Sequence, residues 1–132
     1  EVNLTLPIIL TNKLIKKYFF KKPRFLYISS SRALKGDRGI SLYSTTKNAI
    51  KAFSRNIALE YGSYNIISKV IHLGLFKGGL KNKLSNQSNN KILKNTFNAE
   101  YLKISQLINT LEFAIKDTAS NGSEIFCDNG YM

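Results

Sequence analysis

This chain of 132 residues has only one cysteine and one histidine. With Cys127 alone, an internal disulfide and any multi-cysteine metal site are excluded, and its place in the apolar run 125–127 fits a buried strand thiol. His72 has no carboxylate at ligand spacing, so it reads as a strand histidine with a backbone partner rather than a metal ligand, and no metal is expected. No apolar run approaches the ~18 residues of a membrane span, and no segment has the layout of a signal peptide. The expectation is a soluble, cytoplasmic protein. Acidic side chains are also scarce, eight against twenty Lys and Arg, which leaves a net charge of +12. Such an excess suits nucleic acid, above all where Lys13, Lys16, Lys17, Lys21, Lys22 and Arg24 crowd around Tyr18, Phe19 and Phe20. A helix end favours cations through its dipole, however, and Lys, Asn and Ile are abundant throughout. The cluster therefore reads as a solvated helix end, with neither nucleic acid nor membrane expected as a partner. No internal repeat is present.

What the chain does have is organised around residues 26–61, LYISSSRALKGDRGISLYSTTKNAIKAFSRNIALEY. Phe25 to Ile28 form a short apolar run fit for a strand buried on both faces. Ser29, Ser30 and Ser31 then fall at its carboxyl end, where open α/β sheets bind ligands. From Ser41, which is placed to cap a helix, Ile50, Phe53, Ile57, Ala58 and Tyr61 recur at helical spacing, and the helix is expected to close on Gly62. Tyr43 and Lys47, four residues apart, share one face of its first turns.

A phenol and an ammonium so placed can do proton chemistry. A phenol titrates near ~10, and lowering that by roughly three units takes about 4 kcal/mol of differential stabilisation of the phenolate. A neighbouring ammonium supplies a field of that sign. Ser30, thirteen positions before Tyr43, could donate a hydrogen bond to the same substrate oxygen. Ser29 points to the opposite pleat and Ser31 begins the loop, so the interval favours Ser30. The three together suit carbonyl reduction or alcohol oxidation. Tyr18 and Lys22 repeat the spacing, but Thr5, thirteen positions before Tyr18, sits inside an apolar helical run rather than at a strand end.

Around this stretch, residues 2–20 read as a first helix with Leu6, Ile9, Leu10 and Leu14 on its apolar side and Pro7 early, where a missing N–H costs little. Pro23 then stops the helix ahead of a strand at 25–29, and a loop is expected at 32–40 with a charged tip. Residues 65–73 read as a second buried strand, 99–116 as a helix packed on the sheet, and 124–127 as a last strand after the turn at Asn121 and Gly122.

Four of these segments resemble, in order, parts of the short-chain dehydrogenase/reductase family. EVNLTLPIILT looks like its Asn-containing helix start, LYISSSRA its serine strand, YSTTKNAIKAFSRNIALEYG its active-site helix, and SEIFCDNGYM its closing strand. The resemblance implies an α/β fold, a Rossmann-like doubly wound parallel sheet, of which residues 1–132 form the C-terminal, catalytic half: about three strands with flanking helices. The sequence holds no Thr-Gly-x-x-x-Gly-x-Gly, no selector residue after a second strand and no Asn-Asn-Ala-Gly turn. In the family those parts hold most of the dinucleotide, so the chain reads as a piece of a longer enzyme.

By the same resemblance Asn3, Ser30, Tyr43 and Lys47 are the catalytic residues of an NAD- or NADP-dependent oxidoreductase acting on a small carbonyl or alcohol. Tyr43 and Lys47 also meet the cofactor, Lys47 at the nicotinamide ribose, while Ser30 and Tyr43 meet the substrate. Asn3 supports a water relay, or is simply a helix N-cap. Where relatives carry Pro-Gly and, a little later, a Thr for the nicotinamide carboxamide, this chain has LGLFKG at 73–78, so Gly74 and Phe76 are left to serve through their backbones. Residues 77–98 match the family's variable substrate lid, or are a surface insertion. The active-site helix and the one before it commonly pack against a second subunit, which implies a homodimer or homotetramer. The competing expectation is a truncated, inactive remnant, or an interaction-only subunit without dinucleotide binding.

Overall fold

The structure is a computed structural model and describes residues 1–76 and 93–131. Most of the expected lid, 77–92, lies outside the described residues. Three parallel strands, β1 (Arg24–Ser30), β2 (Ile67–Leu73) and β3 (Glu124–Cys127), lie in the order β1-β2-β3. The register runs from Arg24 opposite Ile67 to Ser30 opposite Leu73, and from Val70 opposite Glu124 to Leu73 opposite Cys127. The central strand β2 is buried along its first six residues, as a parallel strand covered on both faces must be. The half-sheet with flanking helices is the Rossmann-like arrangement that the sequence leads one to expect.

On one face Phe25, Tyr27 and Val70 pack with Ile15, Ile50, Ile57 and Ile66 beneath α1 (Thr5–Tyr18) and α3 (Ser41–Tyr61). On the other, Ile71 and Cys127 pack with Leu102 and Ala114 beneath α4 (Ile104–Lys116). A short α2 (Ser31–Lys35) occupies the start of what reads in sequence as a loop. Among the described residues no helix is long and apolar enough to cross a membrane.

Several expectations are corrected. Helix α1 begins at Thr5 rather than Val2, and a 3-10 turn (Phe19–Lys21) follows it before Lys22 reverses the chain at φ 51°. Its rotation also differs: Leu6, Ile9 and Leu10 are 53, 47 and 50 % exposed, whereas Thr11 and Ile15 are buried. The side of α1 that meets the sheet carries Ile15 and Leu14 for its apolar contact, and there Thr11 Oγ1 also satisfies the buried Tyr27 hydroxyl, the two lying 2.7 Å apart. Ser41 is the first residue of α3 rather than its cap; the cap position is Ile40, which has no side-chain oxygen to offer. Helix α3 does close on Gly62, as expected, but Gly62 stays right-handed at φ −61°, and the chain leaves through Asn65 at φ 61° after a second 3-10 turn (Gly62–Tyr64). Asn tolerates that conformation better than most residues. Strand β2 begins at Ile67 rather than 65, and α4 at Ile104 rather than 99, where Lys103 N–H donates to the Gln106 side chain at 2.8 Å.

Candidate active site

The three serines at the carboxyl end of β1 have separate attachments. Ser29 is buried on the α3 side and its Oγ donates to the Lys47 carbonyl at 3.3 Å, pinning the strand end to the second turn of α3. Ser31 is buried at the start of α2, and its hydroxyl donates to Asp128 Oδ2 in the turn after β3. Ser30 lies between them, half-buried, in extended conformation (φ −146°, ψ 132°) and on the opposite pleat from Ser29. Neighbours on both sides thus fix its backbone.

Helix α3 supplies Tyr43 and Lys47, both half-buried. The Lys47 ammonium lies 5.9 Å from the centre of the Tyr43 ring and donates to the Ile28 carbonyl at 2.9 Å. Burial pushes the Lys47 pKa below the ordinary lysine value, because the charged form loses part of its hydration. Strand end, helix turn and ammonium are therefore one hydrogen-bonded unit: Ser29 holds the Lys47 backbone while the Lys47 side chain holds the strand.

Asn3 is exposed in the turn before α1 and is not its cap; that position belongs to Leu4, without a side-chain hydrogen bond. Asn3 and Lys47 nevertheless line one cleft of about 440 Å³, which runs between α1 and β1 past Leu6, Leu10, Tyr27 and Ile28. Gly74 follows β2, and its N–H is already given to the Cys127 carbonyl at 3.0 Å. A Cβ on Gly74 would stand 2.6 Å from Asp128 Cα, so the residue is glycine because the terminal turn presses on it. Phe76 forms a parallel bridge with Leu102 and packs on the Ile71 cluster. The carboxyl ends of all three strands are thus joined by the Asp128 turn, whose Oδ1 accepts from Gly130 N–H at 3.0 Å.

Asp128 was not among the residues that sequence reasoning proposed for the site. The one available signal was its place in the Asp-Asn-Gly turn that follows the last strand. The rival pair Tyr18 and Lys22 lies ahead of β1, at the opposite end of the sheet, where Lys17 and Lys21 sit over the Tyr18 ring at 5.2 and 5.8 Å.

His72 differs from its expectation. Its partner is a side chain, Glu124 Oε2 at 2.9 Å, brought within reach by the β2–β3 register, and its ring stacks on Phe126 with centroids 4.8 Å apart. Lys51 and Arg55 of α3 reach the same carboxylate at 3.1 and 2.8 Å. Burial alone would raise the Glu124 pKa, but hydrogen bonds from Lys51 and His72, together with their charges, hold it below the ordinary glutamate value. Among the described residues no group of three His, Cys, Asp or Glu could hold a metal ion.

Comparison with known proteins bears on this arrangement. A family model described as short chain dehydrogenase matches residues 1–89. The fold is similar to that of a 4-hydroxyisoleucine dehydrogenase complexed with NADH and succinate, at 23 % identity and a TM-score of 0.86, over 99 % of this chain and 56 % of that one. It is also similar to a putative gluconate dehydrogenase from Agrobacterium tumefaciens, at 21 % identity and a TM-score of 0.90, over 98 % of this chain and 53 % of that one. A third likeness is to a gluconate 5-dehydrogenase from Burkholderia cenocepacia in complex with NADP and tartrate, at 19 % identity and a TM-score of 0.89, with the same two shares covered. At these identities the likeness is one of fold, and the chain spans just over half the length of each of these structures.

Proposed function

Because the chain belongs to the short-chain dehydrogenase family, we propose that it is the catalytic half of an NAD(P)-dependent oxidoreductase that interconverts a small carbonyl compound and its alcohol. The observation that carries this reading is the Lys47 ammonium, partly desolvated, tied to the serine-bearing strand end and lying on the same helix as Tyr43, 5.9 Å from its ring. A phenol, a hydroxyl and an ammonium with N–H bonds beyond the one given to Ile28 make a donor set that fits the nicotinamide-ribose end of a dinucleotide. The phosphate end has no glycine loop to receive it in this sequence. When bound, the dinucleotide supplies or accepts the hydride.

In the reducing direction the Tyr43 hydroxyl gives its proton to the substrate oxygen, and the Ser30 hydroxyl donates a hydrogen bond to that same oxygen. The positive charge of Lys47 favours the phenolate left behind and is itself placed to hold the ribose. Asn3, on the cleft that Lys47 also lines, supports the water through which the proton is returned. Gly74, its N–H already engaged, and Phe76 contribute backbone carbonyls beside the cofactor. Residues 77–98 act as a substrate lid. The half-exposed Leu6, Ile9 and Leu10 of α1 and the exposed Leu59 of α3 supply apolar surface for a homodimer or homotetramer.

The test is dinucleotide-dependent carbonyl reduction, followed by nicotinamide absorbance, in the protein that joins this chain to a strand and glycine-loop half. Tyr43→Phe and Lys47→Met should each lower kcat by roughly 10²–10⁴-fold, while circular dichroism shows the fold retained. Turnover undiminished in Tyr43→Phe would sink the mechanism. A second reading, an interaction-only subunit, is favoured by the edge of β1 that has no strand beside it among the described residues. It predicts that neither NADH nor NADPH binds even with the other half supplied.

A further inference from the structure

The amino-terminal end of the sheet, opposite the serines, carries a surface that the catalytic reading does not use. At the exit of α1, Phe20 stands 94 % exposed on a 3-10 turn. Its ring meets Phe19 edge-on at 5.6 Å, and Phe19 in turn meets Tyr64, 53 % exposed, at 4.9 Å. Two chain segments far apart in sequence thus build one aromatic knob. Around it Lys13, Lys16, Lys17, Lys21 and Lys22 are all exposed. None of these lysines forms an ion pair among the described residues, and residues 2–36 contain no Asp or Glu that could neutralise them.

A helix dipole accounts for cations in the last turn of α1, at Lys16 and Lys17. It does not account for a phenylalanine left almost wholly in water at their centre. We propose that this knob docks the protein on a bilayer surface bearing anionic phospholipid headgroups, with Phe20 as the apolar wedge and the lysines held at the headgroup level. An apolar side chain ringed by ammonium groups matches the layering of such a surface, acyl boundary inside and phosphate outside. Lysine suits headgroups as a mobile point charge; Arg24 is already committed to the Ile115 carbonyl. A nucleic-acid strand fits less well. Stacking successive bases needs several open aromatic faces, whereas the Tyr18 ring is covered by Lys17 and Lys21 and Phe19 is wedged between Phe20 and Tyr64, which leaves Phe20 as the one ring of this group almost wholly open. Docking through this end leaves the carboxyl ends of the strands facing away from the membrane.

The experiment is co-sedimentation of the purified chain with phosphatidylcholine vesicles, with and without phosphatidylserine, at low and high salt, alongside a single-stranded oligonucleotide titration. Binding is expected only with phosphatidylserine and should fall as salt rises. Phe20→Ser should weaken it roughly tenfold, from loss of the buried ring. Lys16→Glu should weaken it roughly fivefold or more, from loss of one cation near the surface. Phe20→Ser removes an exposed side chain, and an unchanged far-ultraviolet spectrum checks that the fold survives. The proposal is overturned by equal binding to neutral and anionic vesicles, by binding indifferent to Phe20→Ser, or by affinity for the oligonucleotide alone. No part of this test reads oxidoreductase activity, so it stands or falls apart from the catalytic proposal.

Discussion

Gly74 shows how tightly the carboxyl end of the sheet is drawn together. Its own φ is not the reason for glycine; the 2.6 Å approach of Asp128 Cα to an added Cβ is. Both partners are backbone, so neither can rotate away, and Gly74→Ala should destabilise the fold by about 1–3 kcal/mol. A urea titration would show it as a lowered midpoint with unchanged slope, and an unmoved midpoint would mean that the turn yields freely. At this scale the sequence was partly legible. The thirteen-residue interval singled out Ser30, and the alternation of a strand correctly put Ser29 on the other face. Nothing local said that Ser29 would hold the Lys47 carbonyl or that Ser31 would reach Asp128, because those partners are set by how strand ends meet in space.

Helix α4 is tied to the sheet by a polar clamp. The Lys69 side chain, fully buried on β2, gives hydrogen bonds to the backbone carbonyl and to Oδ2 of Asp117, both at 2.7 Å, just past the end of α4. Ser120 adds its backbone N–H and hydroxyl to the same carboxylate. The hydrogen bond from Lys69, then that from Ser120, holds the Asp117 carboxyl well below the usual carboxylate range. The sign follows directly. A depressed folded-state pKa contributes stability that is complete above the unfolded value, ~4, and is lost as pH falls through the folded value. Thermal unfolding should therefore lose stability below pH ~4, and Asp117→Asn should flatten that acid limb while lowering the melting temperature at neutral pH. An acid limb unchanged in Asp117→Asn would assign the effect to other carboxylates. Elements were legible in sequence as kinds more than as orientations. The three strands and three long helices follow from periodicity, but the rotation of α1 did not. Its apolar residues suggested a face, whereas the buried side also holds Thr11, a polar residue whose partner, the Tyr27 hydroxyl, lies on another element.

Taken whole, the described residues form a three-stranded sheet with β1 at one edge. Strand β1 has a neighbour only in β2 among the described residues, and the cleft beside it is walled by half-exposed leucines. An unpaired strand edge next to apolar surface invites pairing with another chain. The isolated chain should therefore associate as its concentration rises. Ile28→Lys, at a position 41 % exposed on that strand, should suppress this in sedimentation velocity without altering the circular dichroism. Association unaffected by Ile28→Lys would place the contact elsewhere. These 132 residues hold no match to the glycine-loop part of the family pattern, and nothing in them showed that Asn3 and Lys47 would share the cleft beside β1. The contact between Ser31 and Asp128, 97 positions apart, also governs time. Contacts so distant along the chain close late in folding, after nearer ones have formed. During synthesis the serine segment leaves the ribosome long before its anchor exists, so the proposed catalytic end should acquire its native geometry only once the last strand and its turn have emerged, and should lose it if that anchor is cut away.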